Sequence, residues 1–215
     1  MTLVRRNTGH PGDLLNHPLE TQITCVRTGY AIMKVTPLAI PDVLLLEADV
    51  YGDDRGFFLE TWSAAESRRH GLDVAFVQDN WSRSSRGVLR GLHYQTSHTQ
   101  GKMVRVTSGE VFDVAVDVRR SSPTFGRWVG RILSEENKLA LWVPPGFAHG
   151  FLTISEVADF QYKCSDIYDP TSEQTIRWDD ATIAIDWPIE ADTAIRLSEK
   201  DSNRGVAIED SPCIP

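Results

Sequence analysis

The chain has 215 residues, 41% hydrophobic and 24% charged, the balance of one globular domain with a sizeable core. Its formal net charge of −8 disfavours non-specific binding to nucleic acid or to an anionic membrane, and no run approaches the roughly 18 apolar residues of a transmembrane helix. No apolar stretch follows Arg5 and Arg6 to make a secretory signal, and Cys25, Cys164 and Cys213 are too scattered for a disulfide framework or a zinc site, so a cytoplasmic protein is expected.

Residues 1–32 show little periodicity and read as a flexible N-terminal extension; residues 33–215 read as a single domain. Strand signals dominate from Met33 onward. A short apolar run covers 43–47. Residues 57–62 follow a turn at Gly52-Asp53-Asp54-Arg55-Gly56. One helix is expected over 63–70, with Ser63 as N-cap, Glu66 three residues on, and Gly71 at its end. Residues 87–95 are strand-like, and residues 78–85 are polar enough to be a loop or a rim. Residues 111–119 alternate, with Phe112, Val114, Val116 and Val118 on one face and Asp113 and Asp117 on the other. Further strands are expected at 101–107, 126–133, 139–144, 148–154 and 158–168. The stretch from about Ile189 reads as loop with room for a short helix. Turn residues at roughly 8–12 residue spacing point to a mainly β fold, a β-sandwich or jelly roll with few short helices.

Three segments carry the candidate chemistry. Gly87-Val88-Leu89-Arg90-Gly91-Leu92-His93-Tyr94-Gln95 sets a cation and an imidazole among apolar neighbours, where a cation is costly without an anionic partner. Arg90 and His93 have opposite parity, so both can serve one pocket only if Gly91 breaks the alternation as a bulge. Pro144-Pro145-Gly146-Phe147-Ala148-His149 resembles the Pro-x-Gly-x-x-His element of metal-binding cupins. The companion His-x-His is replaced by His93-Tyr94-Gln95, so His93 and His149 make a poor metal site and none is expected. By parity Tyr162, Cys164, Asp166 and Tyr168 share a face of the 158–168 strand. A tyrosine opposite a histidine, with Lys102 nearby, meets the needs of proton abstraction α to a carbonyl: a base, an enolate stabiliser and an acid. Arg55 beside Phe57 and Phe58 suits a nucleotide but is equally an ordinary strand start. Leu197-Ser198-Glu199-Lys200-Asp201 reads, by its physics alone, as a solvated charged turn.

Taken together, these segments resemble the dTDP-4-dehydrorhamnose 3,5-epimerase family, cupin-type jelly-roll enzymes of deoxysugar biosynthesis. The carriers run from Asp53-Asp54-Arg55-Gly56-Phe57-Phe58 through Gln78-Asp79-Asn80, Arg90-Gly91-Leu92-His93 and Gly101-Lys102. They continue with Phe112-Asp113-Val114-Ala115-Val116-Asp117, Pro145-Gly146-Phe147-Ala148-His149, Tyr162-Lys163 and Ser198-Glu199-Lys200-Asp201. The resemblance implies a thymidine-diphospho-4-keto-6-deoxyhexose substrate, whose C3 and C5 hydrogens the 4-keto group acidifies. It implies His93 as base, Asp201 as its dyad partner, Lys102 at the enolate oxygen and Tyr162 as the acid on the opposite face. Arg55, Glu60, Gln78, Asn80, Arg90, His149, Glu173 and Lys200 match positions lining the substrate site. Tyr168 and Phe57 or Phe58 are candidates to stack on thymine. No metal or organic cofactor is implied. The partner list is the nucleotide sugar and a second copy of the chain, a homodimer in which the Arg55/Glu60 strand reaches the neighbouring site. Two departures stand out: Ile167 where Tyr is frequent, expected to alter the base-binding wall, and Trp81 where His is frequent, expected to alter the pocket rim. A single-centre epimerase, a 3,4-ketoisomerase, a metal-dependent cupin and a non-enzymatic sugar-nucleotide binder remain as alternatives.

Overall fold

The structure, a computed structural model, describes residues 33–212 and residue 214. The expected extension at 1–32, Cys25 within it, and Cys213 lie outside the described residues. The described chain is built from antiparallel strands. In order they are β1 (Met33–Pro37), β2 (Leu44–Ala48), β3 (Val50–Asp53), β4 (Gly56–Leu59), β5 (Gln78–Ser85), β6 (Leu89–Gln95) and β7 (Lys102–Ser108). Then come β8 (Glu110–Asp117), β9 (Trp128–Ser134), β10 (Ala140–Val143), β11 (Phe147–Thr153), β12 (Val157–Cys164) and β13 (Glu173–Thr175). Helix α1 (Ala64–Arg69) falls between β4 and β5, and α2 (Glu199–Arg204) follows β13. No described helix is long and apolar enough to cross a membrane.

A six-stranded sheet in the order β1-β2-β10-β7-β12-β5 faces a five-stranded sheet in the order β13-β6-β11-β8-β9, and β3 and β4 form a separate hairpin. This is the expected jelly-roll sandwich. The layer between the sheets holds Val104, Val111, Leu133, Leu141, Phe151 and Phe160; Phe151 and Phe160 stack at 4.1 Å across it. Leu89, Leu92, Val114 and Val116 close the other side of the smaller sheet against Ile176, Ile183 and Ile208 of the C-terminal segment. Each such fully buried aliphatic side chain contributes about 1.5–3 kcal/mol. The C-terminal segment is thereby part of the core and not a loose tail.

Helix α1 begins and ends as expected: the Ser63 hydroxyl accepts the Glu66 N–H at 3.4 Å, and Gly71 takes φ +79°. Two expectations are corrected. Strand β12 stops at Cys164, so Asp166 and Tyr168 lie in a loop and share no strand face with Tyr162. The polar stretch 78–85 is a full strand, β5, paired along its length with β12.

Candidate active site

One cavity of about 420 Å³ opens between the two sheets, with β5, β7 and β12 on one wall, β6 and β11 on the other, and α2 at its mouth. His93 sits on β6, directly across from His149 on β11. Between Arg90 and His93 the β6–β11 register shifts, and Gly91 adopts φ +120°. A Cβ there would stand 2.6 Å from the Gly150 Cα and 2.8 Å from the His149 carbonyl oxygen. The bulge that parity demanded is present, and Arg90 and His93 both line the cavity.

His93 Nε2 lies 2.5 Å from Asp201 Oδ1. Asp201 is buried and comes from α2, where the Ser198 hydroxyl caps the helix by accepting the Asp201 N–H at 3.0 Å. Ser198 and Asp201 therefore form the Ser-x-x-acid start of a helix, not the solvated turn expected of this stretch. Burial pushes the His93 pKa below its ordinary value against the pull of Asp201, and the charges of Lys200 and Lys102 add to the lowering. Burial works to raise the Asp201 pKa, but the hydrogen bond and charge of His93, the Ser198 hydrogen bond and the charge of Lys200 together hold the carboxyl below the usual range. The two shifts agree: the resting pair is a neutral imidazole donating Nε2–H to a carboxylate. That leaves the other ring nitrogen as a proton acceptor.

Lys102, on β7, is half-buried in the cavity wall with Nζ 3.5 Å from the His93 carbonyl oxygen. Burial lowers its pKa. Tyr162 enters from β12, in the opposite sheet to His93, and burial raises its phenol pKa, so it holds its proton at neutral pH. His93 and Tyr162 thus project from opposite walls.

The outer end of the cavity is polar. Lys200 Nζ meets Glu173 Oε1 at 2.6 Å, and the Tyr168 hydroxyl donates to Glu173 Oε2 at 2.9 Å. Burial acts to raise the Glu173 pKa, but these two bonds bring it below the ordinary value. Gln78 and Asn80 face in from β5, joined by a 3.0 Å bond from Gln78 Nε2 to Asn80 Oδ1. Arg90 is held by a 3.0 Å bond from Nε to Ser84 Oγ.

Of the expected site residues, His93, Lys102, Tyr162, Asp201, Gln78, Asn80, Arg90, His149, Tyr168, Glu173 and Lys200 all line this cavity. Arg55, Phe57, Phe58 and Glu60 do not. They belong to or follow the β3–β4 hairpin, where Arg55 pairs with Asp53 and Lys138 Nζ lies 4.8 Å above the Phe57 ring. Phe57 and Phe58 line no part of this cavity. The two departures also sit elsewhere. Trp81 points to the face of β5 opposite Gln78, Asn80 and Ser82 and is exposed, so it does not alter the rim. Ile167 is exposed and contributes no side chain to the cavity wall.

Two contributors escaped the sequence reading. Asp113, fully buried, holds His149 Nε2 at 2.8 Å; its other oxygen has no hydrogen-bond partner, and its charge acts on Lys102. The signal was there: a carboxylate on the sandwich-facing side of β8 must find a partner. Gln95, which lines the cavity from β6, is the second. A shallower hollow of about 300 Å³ beside Trp178 and Trp187 carries Asp179 and Asp180. Their carboxylates are consumed by Arg177 and by the N–H groups of Thr182, Ile183 and Ile208. Among the described residues, no group of three or more His, Cys, Asp or Glu is placed to hold a metal ion.

The geometry converges with the sequence relationships. The family model described as dTDP-4-dehydrorhamnose 3,5-epimerase matches residues 37–207. The dTDP-4-dehydrorhamnose 3,5-epimerase of Pseudomonas aeruginosa is 58% identical over 184 residues, covering 85% of this chain and 100% of that protein. The 3,5-epimerase of Legionella pneumophila, solved in complex with dTDP-4-keto-L-rhamnose, superposes with TM-score 0.80 at 51% identity, covering 83% of this chain and 94% of the other. A 3'-monoepimerase from Streptomyces bikiniensis, solved with dTDP-quinovose, superposes at 0.74 with 33% identity, covering 80% and 87%. With the His93–Asp201 pair on one wall of its cavity and Tyr162 on the other, the chain belongs by sequence and by fold to the dTDP-4-dehydrorhamnose 3,5-epimerase family of deoxysugar biosynthesis.

Proposed function

We propose that the cavity takes a thymidine-diphospho-4-keto-6-deoxyhexose and inverts its C3 and C5 centres by proton removal and return. The observation that carries this reading is the 2.5 Å His93–Asp201 pair on one wall with Tyr162 on the other. The neutral His93 imidazole removes a proton made acidic by the 4-keto group, and Asp201 stabilises the imidazolium that forms. The Lys102 ammonium stabilises the enolate oxygen. Tyr162 delivers a proton to the opposite face, which inverts the centre. Arg90 and Lys200 supply positive charge for the diphosphate, and Tyr168 offers a ring to the base. The substrate's own carbonyl does the acidifying, so the sequence of steps uses no metal or organic cofactor.

The site reaches full complement in a homodimer in which Arg55 and Glu60 serve the neighbouring cavity. Support comes from the hairpin itself. Its Tyr51, Phe57 and Phe58 are 53%, 62% and 67% exposed, far more apolar surface than a two-stranded ribbon retains in water without cover.

The test is incubation with the 4-keto-6-deoxy-glucose nucleotide in deuterated water, with NMR counting the labelled carbons. Label at C3 and C5 is expected, and label at C3 alone would make this a single-centre epimerase. His93→Ala should abolish wash-in while retaining dTDP binding; wash-in at the wild-type rate would remove His93 as the base. Tyr162→Phe should slow inversion more than wash-in.

A further inference from the structure

The loop between β12 and β13 carries Tyr168, which lines the cavity although half exposed and outside any strand. A ring in that position has little packing to hold it. Its backbone is held instead by two glutamines from opposite sheets. Gln78 Oε1, from β5, accepts the Tyr168 N–H at 3.0 Å. Gln95 Oε1, from β6, accepts the Asp169 N–H at 3.0 Å. The Gln95 amide also donates to the Ile167 carbonyl at 3.2 Å and to the His98 carbonyl at 2.7 Å. One side chain thus holds the residues on either side of Tyr168. Gln95 is only 5% exposed, so these bonds are shielded from water and costly to leave unmade. Gln95 also pairs in register with Glu173, the acceptor of the Tyr168 hydroxyl. Ring, hydroxyl partner and loop backbone are therefore referred to a single point on β6, two residues beyond His93.

We propose that Gln95 is a positioning residue for the nucleoside end of the substrate, acting through Tyr168 and not on the reacting carbons. The inference rests on the reading of the cavity as a nucleoside-diphosphate-sugar site. A loop fixed before binding spares the ligand the entropy of ordering it. Loss of that order weakens binding and leaves the proton-transfer geometry of His93, Lys102 and Tyr162 in place, so the effect falls on KM and not on kcat.

The experiment uses the full chain with dTDP as the probe, in wild type and in Gln95→Leu, which has similar volume and none of the bonds. Calorimetric titration should show dTDP binding about tenfold weaker in the variant, with KM rising in parallel and kcat changing by less than about threefold. In a Tyr168→Ala background the same substitution should add less than about twofold, because its route to the ligand is already gone. In ligand-free wild type, the Tyr168 and Asp169 amides should exchange slowly with deuterated solvent. Should Gln95→Leu fail to fold, Gln95→Glu replaces it, keeping the oxygen that accepts from Asp169 and removing both donors. Unchanged dTDP affinity in the variant, a full additive loss in the Tyr168→Ala background, or unprotected exchange at both amides each overturns the inference alone. Wild-type protein that does not bind dTDP overturns the reading of the cavity and this inference with it.

Discussion

Two histidines face each other across β6 and β11, and each rests on an aspartate: His93 on Asp201, His149 on Asp113. Their settings differ. Asp201 arrives from helix α2, outside both sheets, and His93 is the partly open member; Asp113 is sealed within β8 beneath His149. The lowered pKa of His93 has a direct consequence for rate. As the proposed base His93 works only as neutral imidazole, so turnover should rise with pH through a midpoint below the ordinary value of about 6.5. Asp201→Asn removes the carboxylate that pulls this pKa upward. The acidic limb should then move to still lower pH while kcat falls about a hundredfold or more; a pH–rate profile of both proteins checks the direction, and an upward shift would contradict it. The alkaline limb should follow Lys102, whose pKa burial lowers, and not Tyr162, whose pKa burial raises. At this scale the sequence reading was uneven. His93, Lys102 and Tyr162 were visible as residues in suspicious company. Asp201 had no weight by its physics alone, because a charged turn and a helix start share the same letters until the Ser198 cap is recognised.

At the scale of the element, the bulge in β6 is the piece of local structure on which the site depends. It was legible because opposite parity and a shared pocket are incompatible in a straight strand. Gly91→Ala should destabilise the fold by about 3 kcal/mol, measured by urea denaturation, since a methyl meets β11 backbone and φ is unfavourable for any side chain. Activity should fall further than stability explains, because Arg90 and His93 can no longer both turn inward. Strand β5 was not legible, and the reason is physical. One face offers Gln78, Asn80 and Ser82 to the cavity, and the other carries the Lys163–Asp79 and Arg83–Asp159 ion pairs. A strand polar on both faces has no hydrophobic period to find. The overlong reading of β12 has the converse cause. The alternation of side chains continues past Cys164, but the backbone hydrogen bonds pass to Gln78 and Gln95, and side-chain pattern does not report that change of partner.

For the whole molecule, turn spacing was enough to point to a sandwich, and the motifs narrowed it to a jelly roll. What spacing could not convey is that Arg55 and Glu60 lie on a hairpin separate from the cavity beside them in the list of site residues. Sharing of sites between subunits predicts complementation. Arg55→Ala and His93→Ala proteins, each inactive or nearly so, should recover activity when unfolded together and refolded as an equal mixture. Half the dimers would be mixed, and each mixed dimer would own one undamaged site, so about a quarter of wild-type activity is expected. No recovery above the separate proteins would place Arg55 in service of its own subunit.

Helix α2 and its Ser198 cap bring Ser198, Lys200 and Asp201 to a cavity whose other contributors all precede residue 175. The segment that carries them is also structural: its Ile183 and Ile208 pack against Leu89, Leu92, Val114 and Val116 of the smaller sheet. The carboxylate that meets His93 and the ammonium that meets Glu173 are therefore tied to the same docking that completes the core. A C-terminally clipped molecule should lose stability and the His93–Asp201 pair together, not the second alone.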